Sequence, residues 1–116
     1  EELKKDPIGY ASEYAASNNT VCVLKDARTI TAYPDGRIFI NLSGCSALAT
    51  AGSGDVLSGI LGGYVTRFYK EAGKDLPIEA MGAFVHGKTG EYAAFEKSKS
   101  SVTAVDLLTM LEKNNY

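Results

Sequence analysis

The run Ala49-Thr50-Ala51-Gly52-Ser53-Gly54-Asp55-Val56-Leu57-Ser58-Gly59 limits what this chain can fold into more than any other stretch. Small residues and two glycines lead into Asp55, and beyond it Val56, Leu57, Ile60, Leu61, Tyr64, Val65 and Phe68 recur at helical spacing. The pattern predicts a tight turn feeding a helix. Glycine lets the backbone bend sharply and lets a ligand approach the main chain. The first N–H groups of a helix have no partner within it and lie at the positive end of its dipole, so such a turn is an anion site. A carboxylate beside a phosphate is unfavourable unless it accepts a proton or places a metal ion. The run therefore points to phosphoryl transfer, which depends on positioning and on neutralising the transferred oxygens. Main-chain N–H groups from Ala51 to Asp55 would supply the neutralisation, and Asp55 would take the proton of an attacking hydroxyl or place Mg²⁺ through water. A plainer alternative stands beside this one: a tight loop closing onto a packed helix, with Asp55 as its cap. The run is not a P-loop, since GxxxxGK[ST] does not occur, and it lacks the third glycine of a dinucleotide fingerprint.

Upstream, Asp6-Pro7 reads as a helix N-cap followed by proline at the first helical position. Ile8, Ala11, Tyr14 and Ala15 form the expected buried stripe, and Asn18-Asn19 the stop. Val21 to Leu24 is an apolar strand of the kind buried in α/β sheets. Thr29–Tyr33 and Arg37–Ile40, separated by Pro34-Asp35-Gly36, predict a β-hairpin just before the glycine-rich run. Gly59, Gly62 and Gly63 weaken the following helix, which suggests close backbone packing there. Gly73 and Pro77 bound a connection, and a helix from Ile78 to Ala94 is expected to turn Ile78, Met81, Phe84 and Val85 inward. Thr103 and Asp106 form a capping-box pattern opening a last helix with Val105, Leu108 and Leu111 inward.

Lys25 ends the apolar strand, where open α/β sheets bind ligands and where a lysine can reach a phosphate. Taken by itself, an exposed lysine beside a turn is the favoured reading. Asn41, Ser43, Ser46 and Thr50 are small polar groups around the run, suited to a ribose or base edge and also common in any loop. His86 is the only histidine. With no ligand-spaced cysteine or carboxylate it gives little support for zinc, and a hydrogen-bonding role beside its helix is favoured over direct chemistry.

The chain has 116 residues, one domain by size, and its 45% hydrophobic content is that of a globular protein. A formal charge of −2 and scattered lysines give no support to nucleic acid or an anionic membrane as partner. Apolar runs are too short to span a bilayer, and residues 1–20 carry no signal-peptide core. Cys22 and Cys45 lack metal-ligand spacing and read as free thiols, which points to the cytoplasm.

The segment from Asn41 to Gly59 closely resembles the nucleotide-site segment of the ADP/ATP-dependent NAD(P)H-hydrate dehydratases, a carbohydrate-kinase-like family of the ribokinase-like superfamily. Val23-Leu24-Lys25 with Thr29, Ala83-Phe84-Val85-His86-Gly87, and Val102-Thr103-Ala104-Val105-Asp106-Leu107-Leu108 agree in order and spacing. The resemblance implies the C-terminal portion of a three-layer α/β/α fold. It implies ADP or ATP with Mg²⁺ as phosphoryl source and hydrated NADH or NADPH (NADHX, NADPHX) as substrate. The ring hydroxyl would be phosphorylated with Asp55 as general base, and phosphate then eliminated. Lys25, Asn41, Ser43, Ala51, Gly52, Ser53 and Gly54 would line the nucleotide side. No direct metal ligand is implied.

This sequence departs from the family in having Asp26 where glycine follows the strand lysine, and Cys45-Ser46-Ala47 in place of an Asn-Pro-Gly-like triplet. A complete domain of the family is about twice as long. The expectation is therefore a single domain or half-domain over residues 1–116, acting within a longer enzyme, and by itself associating into a homo-oligomer with little activity. Two alternatives remain: a ribokinase-like small-molecule kinase, and an inactive nucleotide-binding or structural fragment.

Overall fold

A computed structural model describes residues 5–72 and 75–114, with the side chains of residues 71 and 72 outside the description. It divides into two compact units, residues 1–42 and 43–116.

The first unit is a helix packed on a three-stranded sheet. Helix α1 (Pro7–Asn18) starts as the sequence predicts: Asp6 Oδ1 accepts from the Gly9 N–H at 2.9 Å, and proline occupies the first turn. It stops at Asn19, whose φ of 48° is left-handed, a conformation asparagine tolerates. Strands β1 (Cys22–Leu24), β2 (Ile30–Ala32) and β3 (Ile38–Ile40) form an antiparallel sheet in that order. Leu24, Ile30 and Ile40 pair across it, as do Cys22, Ala32 and Ile38. The β2–β3 hairpin closes as expected over Pro34-Asp35-Gly36, with Gly36 at φ 98° and Tyr33 N–H donating to Arg37 O at 2.9 Å. Asp35 accepts from the Arg37 backbone N–H and its guanidinium, which together hold this carboxyl below its usual range.

Ala11 and Ala15 pack on Ile30 and Ala32, with Cys22 and Leu24 at the margin. Two expectations are corrected here. Ile8 and Tyr14 are exposed, because the helix approaches the sheet through its alanines and larger side chains would hold it off. The strand Cys22–Leu24 is only partly buried along its length, since it is an antiparallel edge covered on one side by β2. Burial still pushes the Cys22 thiol upward in pKa.

The second unit is helical. A 3₁₀ turn (Ser46–Leu48) precedes α2 (Ser53–Ala72), α3 (Ile78–Glu96) and α4 (Ala104–Lys113). Val56 and Ile60 of α2, Val85 and Ala93 of α3, and Leu107 and Met110 of α4 form its core with Ala47 and Val102. The capping box is present: Thr103 Oγ1 accepts from Asp106 N–H at 3.3 Å, and Asp106 Oδ2 accepts from Thr103 N–H at 2.8 Å. That backbone N–H, then the Lys97 ammonium, lowers the Asp106 pKa.

Helix faces differ from expectation in three places. On α3, Ile78 and Val85 are buried, whereas Met81 and Phe84 are exposed. On α4 the buried residues are Leu107 and Met110; Val105 and Leu108 face outward, and Leu111 is half-buried. The third difference concerns glycine. A Cβ at Gly59, Gly62 or Gly63 would meet nothing within 4 Å, so close packing is not their role among the described residues. Close approach occurs on α3 instead. A Cβ at Gly82 would come within 2.8 Å of Leu61 Cδ2, at Gly87 within 2.7 Å of the Ser43 backbone carbon, and at Gly90 within 2.6 Å of Leu48. Gly73 lies outside the described residues.

Candidate active site

The glycine-rich run folds as a turn heading a twenty-residue helix. Gly52 has φ 86°, and a side chain there would crowd Ala104 Cβ at 3.1 Å, so both conformation and space call for glycine. Ser53 N–H donates to Thr50 O at 3.2 Å and Val56 N–H to Gly52 O at 3.1 Å, bonds that close the turn from within. The N–H groups of Ala51, Gly52, Gly54 and Asp55 have no hydrogen-bond partner among the described residues. The four N–H groups left over belong to one short, tightly closed segment at the positive end of α2.

Asp55 is exposed in the first turn of α2, and its carboxylate forms no hydrogen bond or ion pair with a described residue. It does not accept a capping bond from the helix it heads. Together with Val56, Ile60, Tyr64, Leu108 and Leu111 it lines a groove of about 650 Å³ between α2 and α4. Ser53 differs from its neighbours: its side chain is fully buried, and its Oγ lies 3.1 Å from His86 Nε2. The same ring nitrogen is 3.0 Å from Ser53 O. His86 thus serves as the hydrogen-bonding residue expected of it.

Ser43 joins the same helix. Its Oγ donates to Phe84 O at 3.0 Å, and its backbone rests against Gly87. Gly44, at φ 108°, donates its N–H to Glu91 Oε1 at 3.0 Å, while Lys88 Nζ sits 2.6 Å from Oε2. The lysine first, then the Gly44 N–H, holds the Glu91 carboxyl below the ordinary glutamate range. One helix therefore supports two loops of the candidate site, through Phe84 and Glu91 under residues 43–44 and through His86 under Ser53. Glu91 was not singled out from the sequence. The signal was a row of small residues, Ala83, Gly87, Gly90 and Ala94, at helical spacing along one face.

Lys25 and Asn41 belong to the first unit. The sheet brings them to one end: Lys25 follows Leu24, Asn41 follows Ile40, and Asn41 N–H donates to Thr29 O at 2.9 Å. Lys25 is exposed with no partner among the described residues. No three His, Cys, Asp or Glu residues among those described converge on a metal position.

Comparison with known proteins places this geometry in a family. The sequence model of the family described as NAD(P)H-hydrate dehydratase matches residues 1–113. A bifunctional NAD(P)H-hydrate repair enzyme of Moorella thermoacetica is 39% identical over 110 residues, covering 95% of this chain and 20% of that protein. The ADP-dependent (S)-NAD(P)H-hydrate dehydratase of Bacillus subtilis is 36% identical over 112 residues, covering 97% of this chain and 39% of that one. A crystal structure of the B. subtilis ADP/ATP-dependent NAD(P)H-hydrate dehydratase, co-crystallised with ATP/Mg²⁺, superposes with a TM-score of 0.82 at 34% identity. It is matched over 97% of this chain and 39% of its own length. The chain thus spans from 20% to 39% of the length of these relatives. Its α/β class, with a hairpin ahead of the glycine-rich turn, is that of the ribokinase-like fold, and by sequence and structure the chain belongs to the NAD(P)H-hydrate dehydratase family.

Proposed function

We propose that this chain is the nucleotide-site portion of an ADP/ATP-dependent NAD(P)H-hydrate dehydratase, acting within a longer enzyme that restores hydrated NADH and NADPH. One observation carries the reading: Asp55, a carboxylate with no partner among the described residues, stands beside main-chain N–H groups equally without partners at the head of α2.

In this reading the N–H groups of Ala51, Gly52, Gly54 and Asp55 receive the terminal phosphate of ADP or ATP. Ser53 holds the turn rather than the ligand. Lys25, Asn41 and Ser43 serve the nucleotide. Asp55 removes the proton from the hydroxyl of the hydrated ring as that oxygen attacks phosphorus and the bond to the departing nucleotide breaks, releasing AMP or ADP. The nitrogen lone pair of the ring then expels phosphate, and a proton leaves the neighbouring ring carbon to complete the double bond. Phosphorylation is useful because phosphate departs far more readily than hydroxide. Mg²⁺, carried on the nucleotide phosphates, would neutralise their charge.

Residues 1–116 are proposed to form one part of the family domain, and to self-associate. An edge strand and the outward-facing Leu42, Tyr69 and Phe95 support association. No helix among the described residues is long and apolar enough to cross a membrane. The reading places the protein in the cytoplasm, with small-molecule nucleotides as ligands and neither nucleic acid nor membrane as partner.

Recovery of NADH from hydrated NADH, with ATP or ADP, tests the proposal in the native polypeptide carrying these residues. Asp55→Asn is expected to lower turnover about 10²-fold or more, the scale of a lost general base, while nucleotide affinity stays within a few-fold. Equal rates would return Asp55 to a structural role, and a stable phosphorylated product would indicate a kinase.

A further inference from the structure

We propose that His86 is the positioning residue of the phosphate turn, setting the direction in which Gly54 and Asp55 present their N–H groups. The proposal deepens the nucleotide reading above and rests on it for the identity of the ligand, whereas the geometry stands alone. His86 is 3% exposed and Ser53 is fully buried, and they are 33 residues apart in sequence. A carbonyl only accepts, so the 3.0 Å contact to Ser53 O requires the hydrogen on Nε2. Ser53 Oγ, at 3.1 Å, lies against the same ring nitrogen.

The consequence follows from the peptide bond. Ser53 C=O and Gly54 N–H belong to one planar trans unit and point in opposite directions. Anchoring the carbonyl on His86 therefore aims the Gly54 N–H to the other side, and the next N–H, that of Asp55, follows as the helix begins. The helix itself bonds the Ser53 carbonyl from below, and two further bonds close the turn at Ser53 N–H and Val56 N–H; the His86 contact adds the hold on this plane from the α3 side. A buried imidazole bonding two of the polar atoms of one residue is a costly arrangement to satisfy by chance, because each buried polar atom must find its partner.

The test compares His86→Gln, whose amide can replace the Nε2 donor, with His86→Met, which keeps volume and lacks a donor. Both are made in the native polypeptide. Thr89→Val, which removes another buried hydroxyl from α3, controls for general loss of stability. Calorimetric titration with ATP and Mg²⁺ is expected to show affinity reduced on the order of tenfold in His86→Met, the effect of about one lost hydrogen bond, and near wild type in His86→Gln and Thr89→Val. The amide NMR shifts of Gly54 and Asp55 should move in the Met variant and return in the Gln variant. If wild type binds no ATP, the nucleotide reading fails and the amide shifts alone decide the positioning role. Wild-type shifts in His86→Met, or equal losses in Met, Gln and Val variants, overturn the proposal.

Discussion

Replacing Gly87 by alanine should destabilise this chain, while the same change at Gly62 should stabilise it, although both glycines lie inside long helices. A helical glycine costs about 1 kcal/mol relative to alanine, so propensity alone predicts a gain at both positions. Space decides the difference. A Cβ at Gly62 meets nothing within 4 Å. At Gly87 it would sit 2.7 Å from the backbone carbon of Ser43 and 2.8 Å from Ser43 Cβ. Ordinary carbon contacts lie near ~3.5 Å, so residues 43–44 would have to retreat by about 0.8 Å. Backbone cannot swing aside as a side-chain tip can, and overpacking of this kind costs about 1–3 kcal/mol. Subtracting the propensity gain leaves Gly87→Ala roughly neutral to about 2 kcal/mol less stable, against a gain of about 1 kcal/mol for Gly62→Ala. Thermal unfolding of the two variants should separate in opposite directions, by about 4 °C per kcal/mol for a chain of this size. Retreat of the loop also stretches the bond from Gly44 N–H to Glu91, so amide exchange at Gly44 should rise in the Gly87 variant alone. A Gly87→Ala variant more stable than wild type, with Gly44 exchange unchanged, would refute the packing argument.

Leu107→Ala should cost about 2–5 kcal/mol in denaturant unfolding, whereas Leu108→Ala, half-exposed at 53%, should cost far less; the reverse order would restore the sequence-based face of α4. Glu91 is held ionised by Lys88 and the Gly44 N–H, so its folded pKa lies below the unfolded one. The stability it contributes is complete above the ordinary glutamate value and disappears as pH falls through the depressed one. Wild type should therefore lose its advantage over Glu91→Gln in that acid window, as followed by unfolding midpoints across pH; a constant difference down to the lowest pH at which the chain folds would contradict this.

Local signals were legible in the sequence wherever one or two residues dictate a conformation. Asp6-Pro7, Asn19, the Pro34-Asp35-Gly36 turn and the Thr103–Asp106 box all act through the backbone within a few residues, and each appears as expected. The glycine-rich turn was legible for the same reason. Helix faces were legible only in part: Ala11, Ala15, Ile78 and Val85 are buried as expected. Ranking inward positions by size selects Ile8, Tyr14, Met81 and Phe84, all exposed. The elements meet through Ala11 and Ala15, which the pattern included, and through Gly82, Gly87 and Gly90, which it did not, where small size permits close approach. Hydrophobic patterning carries little information about such contacts, because alanine and glycine barely mark a stripe. Within the site, Asp55 and the turn were readable, whereas the division of labour between Ser53 and its neighbours required His86 to be seen beside it.

The hairpin has a consequence for how freely this unit can vary. Antiparallel pairing sets Lys25, Thr29 and Asn41 at one end of the sheet and Pro34-Asp35-Gly36 at the other. The turn residues are exposed, and the register is fixed between them and the far end by three cross-strand pairs in each ladder. Changes in turn length are absorbed where they arise, because surface loop tips tolerate insertion when no buried backbone bond is broken. The tip of this hairpin is therefore a place where a reporter peptide or an affinity handle can be inserted without disturbing the residues gathered at the opposite end.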